Sequence, residues 1–201
     1  MPTTLFAVMI ARADADSKAL RALQQAGAVL FVTVLTIAAA QISIPLPFTP
    51  VPFTFQPMVV LVGAAALGAR LGAASQVLYL TLGIIGLPVF AASPVLPQGV
   101  ARLLGPTGGY LMAYPLAAFV AGSLAERGFD RQYFSALAAM IAGLALVFVG
   151  GVSWLALYAQ PAGGFQAALA TGFYPFIVPD LVKLMAAAAV TPSLWWLTGE
   201  R

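Results

Sequence analysis

The chain has 201 residues, of which 62% are hydrophobic and 7% are charged, and its net charge is only +3. Soluble domains carry about 25% charged residues, so this composition cannot cover a water-facing surface and predicts an all-α membrane protein. The absence of Cys and His removes disulfides, thiolate chemistry and the commonest general base, and no basic tract indicates a nucleic-acid partner.

Hydropathy and helix breakers divide the chain into a cytosolic or interfacial lead-in, residues 1–25, and a single six-helix transmembrane domain, residues 26–201. A membrane-spanning helix needs roughly 20 mainly apolar residues. Four prolines within residues 45–52 end the first such helix, because proline cannot continue a helix. The six predicted helices are 26–44, 56–67, 71–90, 108–124, 134–158 and 172–197, and segments 91–107 and 159–171 are predicted loops.

The charged residues predict the orientation of these helices. Lys and Arg collect in cytoplasmic loops, and an N-terminus placed inside puts seven of the nine basic residues on the cytoplasmic side. The sequence therefore predicts six transmembrane helices with both termini cytoplasmic. The residues on that side are Arg12, Lys18, Arg21, Arg70, Arg127, Arg131 and Arg201, together with Asp14, Asp16, Glu126, Asp130 and Glu200.

Arg102, Asp180 and Lys183 are the charges left over, and all three fall in the outer half of the predicted protein. Asp180 and Lys183 are three residues apart, which places both on one face of a helix. Ionisable residues inside a membrane are functional sites by default, so a binding role is favoured over the alternative, a structural ion pair. For Arg102, a solvated loop position is an equally good alternative.

The chemistry that the sequence lacks favours binding or transport over catalysis. Neither Lys18 nor Lys183 stands in a phosphate-binding loop, and no Ser-His, Cys-His or aspartyl pair is present. A carboxylate accepts hydrogen bonds from N–H groups, whereas Lys and Arg donate to a carbonyl or carboxylate. The leftover charges therefore suit a small ligand with an anionic end and N–H donors, and no cofactor or metal is predicted.

Two further stretches lie at the outer ends of predicted helices. Thr54 and Gln56, at the mouth of the second helix, are either ligand contacts or caps. Residues 104–110, Leu-Gly-Pro-Thr-Gly-Gly-Tyr, are either a turn entering the fourth helix or a loop whose backbone approaches a ligand. Composition alone favours the turn, because Gly and Pro are typical turn residues.

Several runs together resemble the BioY family, the biotin-specific substrate-binding components of energy-coupling factor (ECF) transporters. The resemblance extends in the expected order from about Gln41 to Lys183. The runs are Val-Pro-Phe-Thr-Phe-Gln at 51–56, Leu-Tyr-Leu at 78–80, Gly-Ile-Ile-Gly-Leu-Pro-Val-Phe-Ala at 83–91, Gly-Pro-Thr-Gly-Gly-Tyr-Leu at 105–111 and Pro-Asp-Leu-Val-Lys at 179–183.

The resemblance implies six membrane helices, an outward-opening biotin pocket and no ATPase activity in this chain. Asp180 and Lys183 match an acid and a lysine of the last helix that contact the ligand in the family, and Arg102 corresponds to a pocket arginine. The substrate-binding residues predicted in this way are Asp180, Lys183, Arg102, Gln56, Thr54 and Phe90.

The resemblance also implies partners and a location. The partners are biotin, a transmembrane coupling protein, cytoplasmic ABC ATPase subunits and membrane lipid. Whether the chain also forms a homo-oligomer is left undecided by the sequence. The location is the inner (cytoplasmic) membrane of a bacterium or archaeon, which the chain crosses several times. The alternative is a stand-alone proton-coupled secondary transporter of a small carboxylate or vitamin, with Asp180 as the coupling acid.

One feature of the first helix departs from the family. Such components usually dock on the coupling protein through an Ala-x-x-x-Ala pattern, whereas the corresponding positions here are Leu30 and Val34. Small residues occur instead at Ala26, Thr33 and Ala40. The sequence therefore leaves the docking face open.

Overall fold

The computed structural model describes residues 4–12, 17–93, 96–158 and 163–198. Four charged residues that set the predicted orientation, Asp14, Asp16, Glu200 and Arg201, lie outside these ranges. The elements in chain order are α1 (Leu5–Arg12), α2 (Lys18–Gln41), β1 (Ser43–Ile44), β2 (Phe53–Thr54), α3 (Gln56–Leu67), α4 (Ala69–Ile84), α5 (Val100–Leu104), α6 (Gly108–Glu126), a 3₁₀ turn (Phe129–Arg131), α7 (Tyr133–Tyr158), α8 (Gly164–Gly172), α9 (Tyr174–Ala187) and α10 (Val190–Thr198).

The described ranges are largely helical, which confirms the prediction of an all-α protein. Four stretches are long and apolar enough to cross a membrane, namely α2, α6, α7 and the run Gly164–Thr198 that contains α8 to α10. α3 is apolar but only 12 residues long. Large apolar side chains face outward on α2, where Leu30 and Phe31 are more than half exposed. Such a face suits lipid better than water.

The first long helix begins earlier than predicted, at Lys18 rather than at residue 26. Ser17 is its N-cap, and the Ser17 hydroxyl accepts a hydrogen bond from the Leu20 N–H at 3.1 Å. This bond satisfies one of the N–H groups that a helix start leaves free. Residues 18–25, which were predicted as part of a separate lead-in, are therefore the first turns of α2.

α4 ends at Ile84, so the prediction of a helix to residue 90 is wrong in its last turns. Gly86 adopts a φ of 100°, a left-handed conformation that glycine adopts without strain, and Pro88 cannot continue a helix. Beyond this turn, Val89 and Phe90 are buried in an irregular segment. Apolar composition alone does not distinguish this buried segment from a helix.

The last predicted helix, 172–197, is broken into α9 and α10, and the predicted loop 159–171 contains most of α8. Pro175 stands at the start of α9, where its missing N–H costs nothing. Pro192, in the first turn of α10, would clash with the carbonyl of residue 188 in a continuous helix. α8 and α9 thus each end shortly before a proline, whereas Pro179 stands inside α9 without ending it. Segment 91–107 likewise contains the short helix α5 rather than loop alone.

α6 and α7 pack closely in the centre of the structure. Gly151 of α7 lies against the Tyr110 ring, which occupies the space that a Cβ would need. Gly109 of α6 lies in the same way against Trp154 and the Gly150 carbonyl. Small residues let membrane helices approach in this manner. The close approach fixes the first turn of α6, which leads into the candidate site.

A two-stranded hairpin lies between α2 and α3. β1 pairs with β2 in an antiparallel register that sets Ser43 opposite Thr54 and Ile44 opposite Phe53. The loop that joins the strands contains the proline run, and the Thr49 hydroxyl donates a hydrogen bond to the Thr171 carbonyl of α8 at 2.6 Å. The hairpin is thus linked to the C-terminal helices.

Candidate functional site

Asp180 and Lys183 form a buried ion pair on one face of α9. The Lys183 Nζ donates to the Asp180 Oδ1 at 2.6 Å, and both side chains are more than nine-tenths buried. The two side chains therefore share one face of the helix, as their three-residue spacing predicted. Among the described residues this is the one salt bridge between acidic and basic side chains.

Lys183 also connects α9 to the hairpin. Its Nζ donates a second hydrogen bond, of 2.6 Å, to the Thr54 carbonyl in β2. The same nitrogen lies 3.6 Å from the centroid of the Phe53 ring, a distance at which a cation is attracted by the aromatic face. The ammonium thus has an anionic, a carbonyl and an aromatic partner, which together offset the cost of burying it.

Gln56 begins α3 and links three elements through hydrogen bonds. Its Nε2 donates to the Tyr79 hydroxyl of α4 at 2.7 Å, and its Oε1 accepts from the Thr54 hydroxyl at 3.4 Å. The Tyr79 hydroxyl in turn donates to the Val89 carbonyl at 3.3 Å. Thr54 and Gln56 are therefore more than caps, because their side chains connect the hairpin to the segment after α4.

Phe90 packs edge-to-face on Tyr79, with the ring centroids 5.6 Å apart. The ring lies directly over Gly83, where a Cβ would overlap it. Phe90 is 1% exposed, so it reaches the protein interior although it lies beyond the end of α4. Gly83, the first residue of the run 83–91, thus makes room for the ring of Phe90.

Arg102, on α5, is 1% exposed, so the alternative of a solvated loop residue is wrong. Its guanidinium donates to three backbone carbonyls: Nε to Pro97 at 2.7 Å, and Nη2 to Ala91 at 2.8 Å and to Leu96 at 3.3 Å. Burial lowers the pKa of Arg102 from its ordinary value, because a low-dielectric setting disfavours the charged form. Its partners within the described ranges are neutral groups.

All six predicted site residues line one cavity, which has a volume of about 60 Å³. Tyr110, Tyr114, Phe148 and Phe176 form much of the remaining wall. The charged groups in the wall are Arg102, Lys183 and Asp180, so two cations face one carboxylate and the formal sum is one positive charge. An apolar, aromatic cavity with one surplus cation is suited to a small ligand that is mainly apolar and carries a single anionic group.

Sequence reasoning did not single out several residues that build the site. Tyr79 bridges Gln56 and Val89, and Tyr110 donates from its hydroxyl to the Gly172 carbonyl at 2.8 Å. Both tyrosines lie in runs that resemble the BioY family, residues 78–80 and 105–111, but neither was predicted as a site residue. Buried tyrosines generally find a hydrogen-bond partner, so a tyrosine inside a predicted membrane helix indicates a polar contact there.

Comparison with known proteins gives the family of the chain. The model of the BioY family matches residues 11–200. The chain belongs to the BioY family. The biotin transporter BioY of Thermotoga maritima is 41% identical to this BioY family member over 169 residues, which are 84% of this chain and 94% of that protein. The biotin transporter BioY of Rhizobium etli is 35% identical over 166 residues, 79% of this chain and 86% of that protein.

A solved structure shares the fold of this BioY family member. It is the crystal structure, at 2.1 Å, of the S-component for biotin from an ECF-type ABC transporter. The two chains superpose with a TM-score of 0.77 at 26% sequence identity, and the match covers 89% of this chain and 94% of that chain. The sequence-based assignment to the BioY family, made from short runs alone, is confirmed.

Proposed function

We propose that this chain is the substrate-binding component of an ECF-type transporter and that it captures biotin at the outer face of the cytoplasmic membrane of a bacterium or archaeon. The observation that carries the proposal is the aromatic cavity in which Asp180, Lys183 and Arg102 are buried together. The BioY relatives and the biotin S-component with the same fold support biotin as the ligand.

The chemistry of biotin matches the cavity. Biotin has one carboxylate and a ureido ring with two N–H donors and one carbonyl, on an otherwise apolar skeleton. The carboxylate matches the surplus positive charge of the wall, and Asp180 is the group that accepts hydrogen bonds from N–H donors. The aromatic side chains, Tyr114 and Phe148 among them, contact the apolar parts. The predicted binding roles of Thr54, Gln56 and Phe90 rest on the same shared cavity.

We propose that a wall of the cavity moves when the ligand binds. Ligand pockets typically measure roughly 300–1,000 Å³, whereas this cavity measures about 60 Å³. The hairpin is the wall best suited to move, because its strands are only two residues long. Two side-chain hydrogen bonds, from Lys183 to the Thr54 carbonyl and from Thr49 to the Thr171 carbonyl, link it to the C-terminal helices.

The proposed topology has six membrane segments, with α3 and α4 as the second and third and both termini in the cytoplasm. Because the chain has no Cys, single introduced cysteines can test it. We expect Gln98→Cys to react with a membrane-impermeant maleimide in intact cells and Gln132→Cys to react only after permeabilisation. Both positions are exposed. Labelling of Gln132→Cys in intact cells would contradict the orientation.

The proposed partners are a transmembrane coupling protein and cytoplasmic ABC ATPase subunits. On α2, Thr33 and Ala40 are fully buried inside the protein, whereas Leu30 and Val34 are about half exposed, at 53% and 52%. Two of the three small residues are thus unavailable for docking. A coupling protein that contacts this face of α2 therefore meets large side chains, in contrast to the usual small-residue pattern.

The proposal predicts that the purified protein binds biotin with one site per chain. The measurement is isothermal titration calorimetry in detergent, together with mass spectrometry of the small molecules that co-purify with the protein. We expect biotin to co-purify and to be displaced by labelled biotin. A different vitamin in its place would contradict the choice of substrate and leave the fold assignment intact.

Transport assays separate this function from a stand-alone proton-coupled transporter. Biotin uptake is expected to stop when the partner ATPase carries an inactive phosphate-binding loop. It is expected to persist when an uncoupler collapses the proton gradient and ATP is maintained. The opposite pattern would assign the chain to the secondary transporters, with Asp180 as the coupling acid.

A further inference from the structure

Thr107 has a buried hydroxyl that makes no hydrogen bond within the described part of the chain. The residue is 6% exposed and lines the same cavity as Arg102 and Lys183. It is also the N-cap of α6, where a threonine normally accepts a hydrogen bond from an N–H of the first turn. The Thr107 side chain makes no such bond. An unpartnered hydroxyl in a binding cavity is a free donor and acceptor for a ligand.

The backbone around Thr107 packs closely against α5 and α7. The Trp154 Nε1 donates to the Gly105 carbonyl at 2.8 Å. Gly108 abuts the Leu103 carbonyl so closely that a Cβ has no room. These contacts fix the entry into α6 between α5 and α7. The glycines that sequence analysis attributed to a turn therefore also position a polar side chain on the cavity wall.

The surroundings of Thr107 favour an anion. Arg102 lies on the preceding short helix and lines the same cavity, and its hydrogen bonds go to neutral carbonyls rather than to a carboxylate. The N-terminus of a helix carries a partial positive charge, and α6 is 19 residues long, although the Gly108 N–H in its first turn already donates to the Gly105 carbonyl at 3.1 Å. Asp180, by contrast, is already engaged by Lys183. Arg102 and the unpartnered Thr107 hydroxyl thus both line the cavity, and neither has an anionic partner in the described ranges.

We propose that the Thr107 hydroxyl binds the carboxylate of the ligand in the cavity that Arg102 also lines. The N–H groups of the ligand then face Asp180. This inference rests on the proposed function, because it assigns the two ends of a monocarboxylate such as biotin to two sides of the cavity. It gives Thr107 a specific role, namely discrimination between a carboxylic acid and its neutral analogues.

The test compares Thr107→Val with Thr107→Ser, using biotin and the neutral biotinamide as ligands. Valine keeps the shape of threonine without the hydroxyl, whereas serine keeps the hydroxyl. We expect Thr107→Val to weaken biotin binding about ten- to a hundredfold, as for the loss of a hydrogen bond to a charged group. The affinity of Thr107→Val for biotinamide is expected to stay within about twofold of the wild-type value, and Thr107→Ser is expected to bind biotin nearly as the wild type does.

Thr191 provides a matched control. Its hydroxyl in α10 is also fully buried and unpartnered in the described ranges, but it does not line this cavity. We expect Thr191→Val to bind both ligands as the wild type does, and a loss of affinity in this variant would contradict the specific role of Thr107.

The remaining outcomes separate this inference from the proposed function. Unchanged biotin affinity in Thr107→Val would overturn the inference alone. An equal loss for biotin and biotinamide would overturn the assignment of Thr107 to the carboxylate. A wild-type protein that binds neither ligand would overturn the proposed function itself.

Discussion

Replacing Lys183 with methionine is expected to abolish measurable biotin binding and to destabilise the protein by about 3–5 kcal/mol, the usual cost of breaking a buried ion pair. The variant leaves the Asp180 carboxylate buried without its cation. It also removes the hydrogen bond to the Thr54 carbonyl and the contact with the Phe53 ring. Titration calorimetry and thermal unfolding in the same detergent measure the two effects.

A double variant separates binding from folding. Asp180→Asn combined with Lys183→Met removes both charges while it keeps the side-chain volumes, and neutral replacement of a whole buried pair is often tolerated. We expect this double variant to recover most of the lost stability and still to bind no biotin. Wild-type affinity in the double variant would reduce the pair to a structural role.

The chain offers a matched control for the lysine. Its two lysines are Lys18 and Lys183, and Lys18 lies exposed at the start of α2. Lys18→Met is expected to leave biotin affinity unchanged and to change stability by less than about 0.5 kcal/mol, as for ordinary surface substitutions. A large effect at Lys18 would show that loss of a lysine charge, rather than its position, governs binding.

Several features of the site could be predicted from sequence. They depend either on the spacing of neighbouring residues or on charged residues in an apolar helix, which are rare inside membranes. Asp180 and Lys183 stand out as ionisable residues in an apolar helix, and their spacing fixes a common face. The bounds of α3 are those predicted, 56–67, because the prolines before it and Gly68 after it mark its ends. In both cases the residues that allow the prediction lie within a few positions of the ion pair or helix end that they predict.

Other features depend on contacts between distant parts of the chain and were not predictable. Segment 85–91 is as apolar as a helix, and although Gly86 and Pro88 mark the end of α4, the fold-back that brings Phe90 over Gly83 could not be read from the sequence. The unpartnered state of the Thr107 hydroxyl depends on how α5, α6 and α7 meet. Loop position likewise gave no indication that Arg102 is buried, since a loop charge is equally compatible with solvent.

The buried guanidinium of Arg102 leads to the second large expected effect. Arg102→Lys is expected to lower biotin affinity about a hundredfold, although it keeps the positive charge. An ammonium is a compact point charge, whereas the planar guanidinium holds several acceptors in a fixed fork. Nε and Nη2 together reach the carbonyls of residues 91, 96 and 97, and a lysine cannot reproduce this set. The segment next to Phe90 therefore loses its anchor.

Calorimetry on three variants tests this role. Arg102→Gln removes both the fork and the charge, so we expect it to bind biotin more weakly than Arg102→Lys does. Arg70→Gln, at an exposed position in the first turn of α4, is the control and is expected to bind as the wild type does. Hydrogen exchange at residues 89–91 is expected to accelerate in both Arg102 variants, because the Ala91 carbonyl loses its donor. Wild-type affinity in Arg102→Lys, combined with weak binding in Arg102→Gln, would mean that the charge of Arg102 matters and its fork does not.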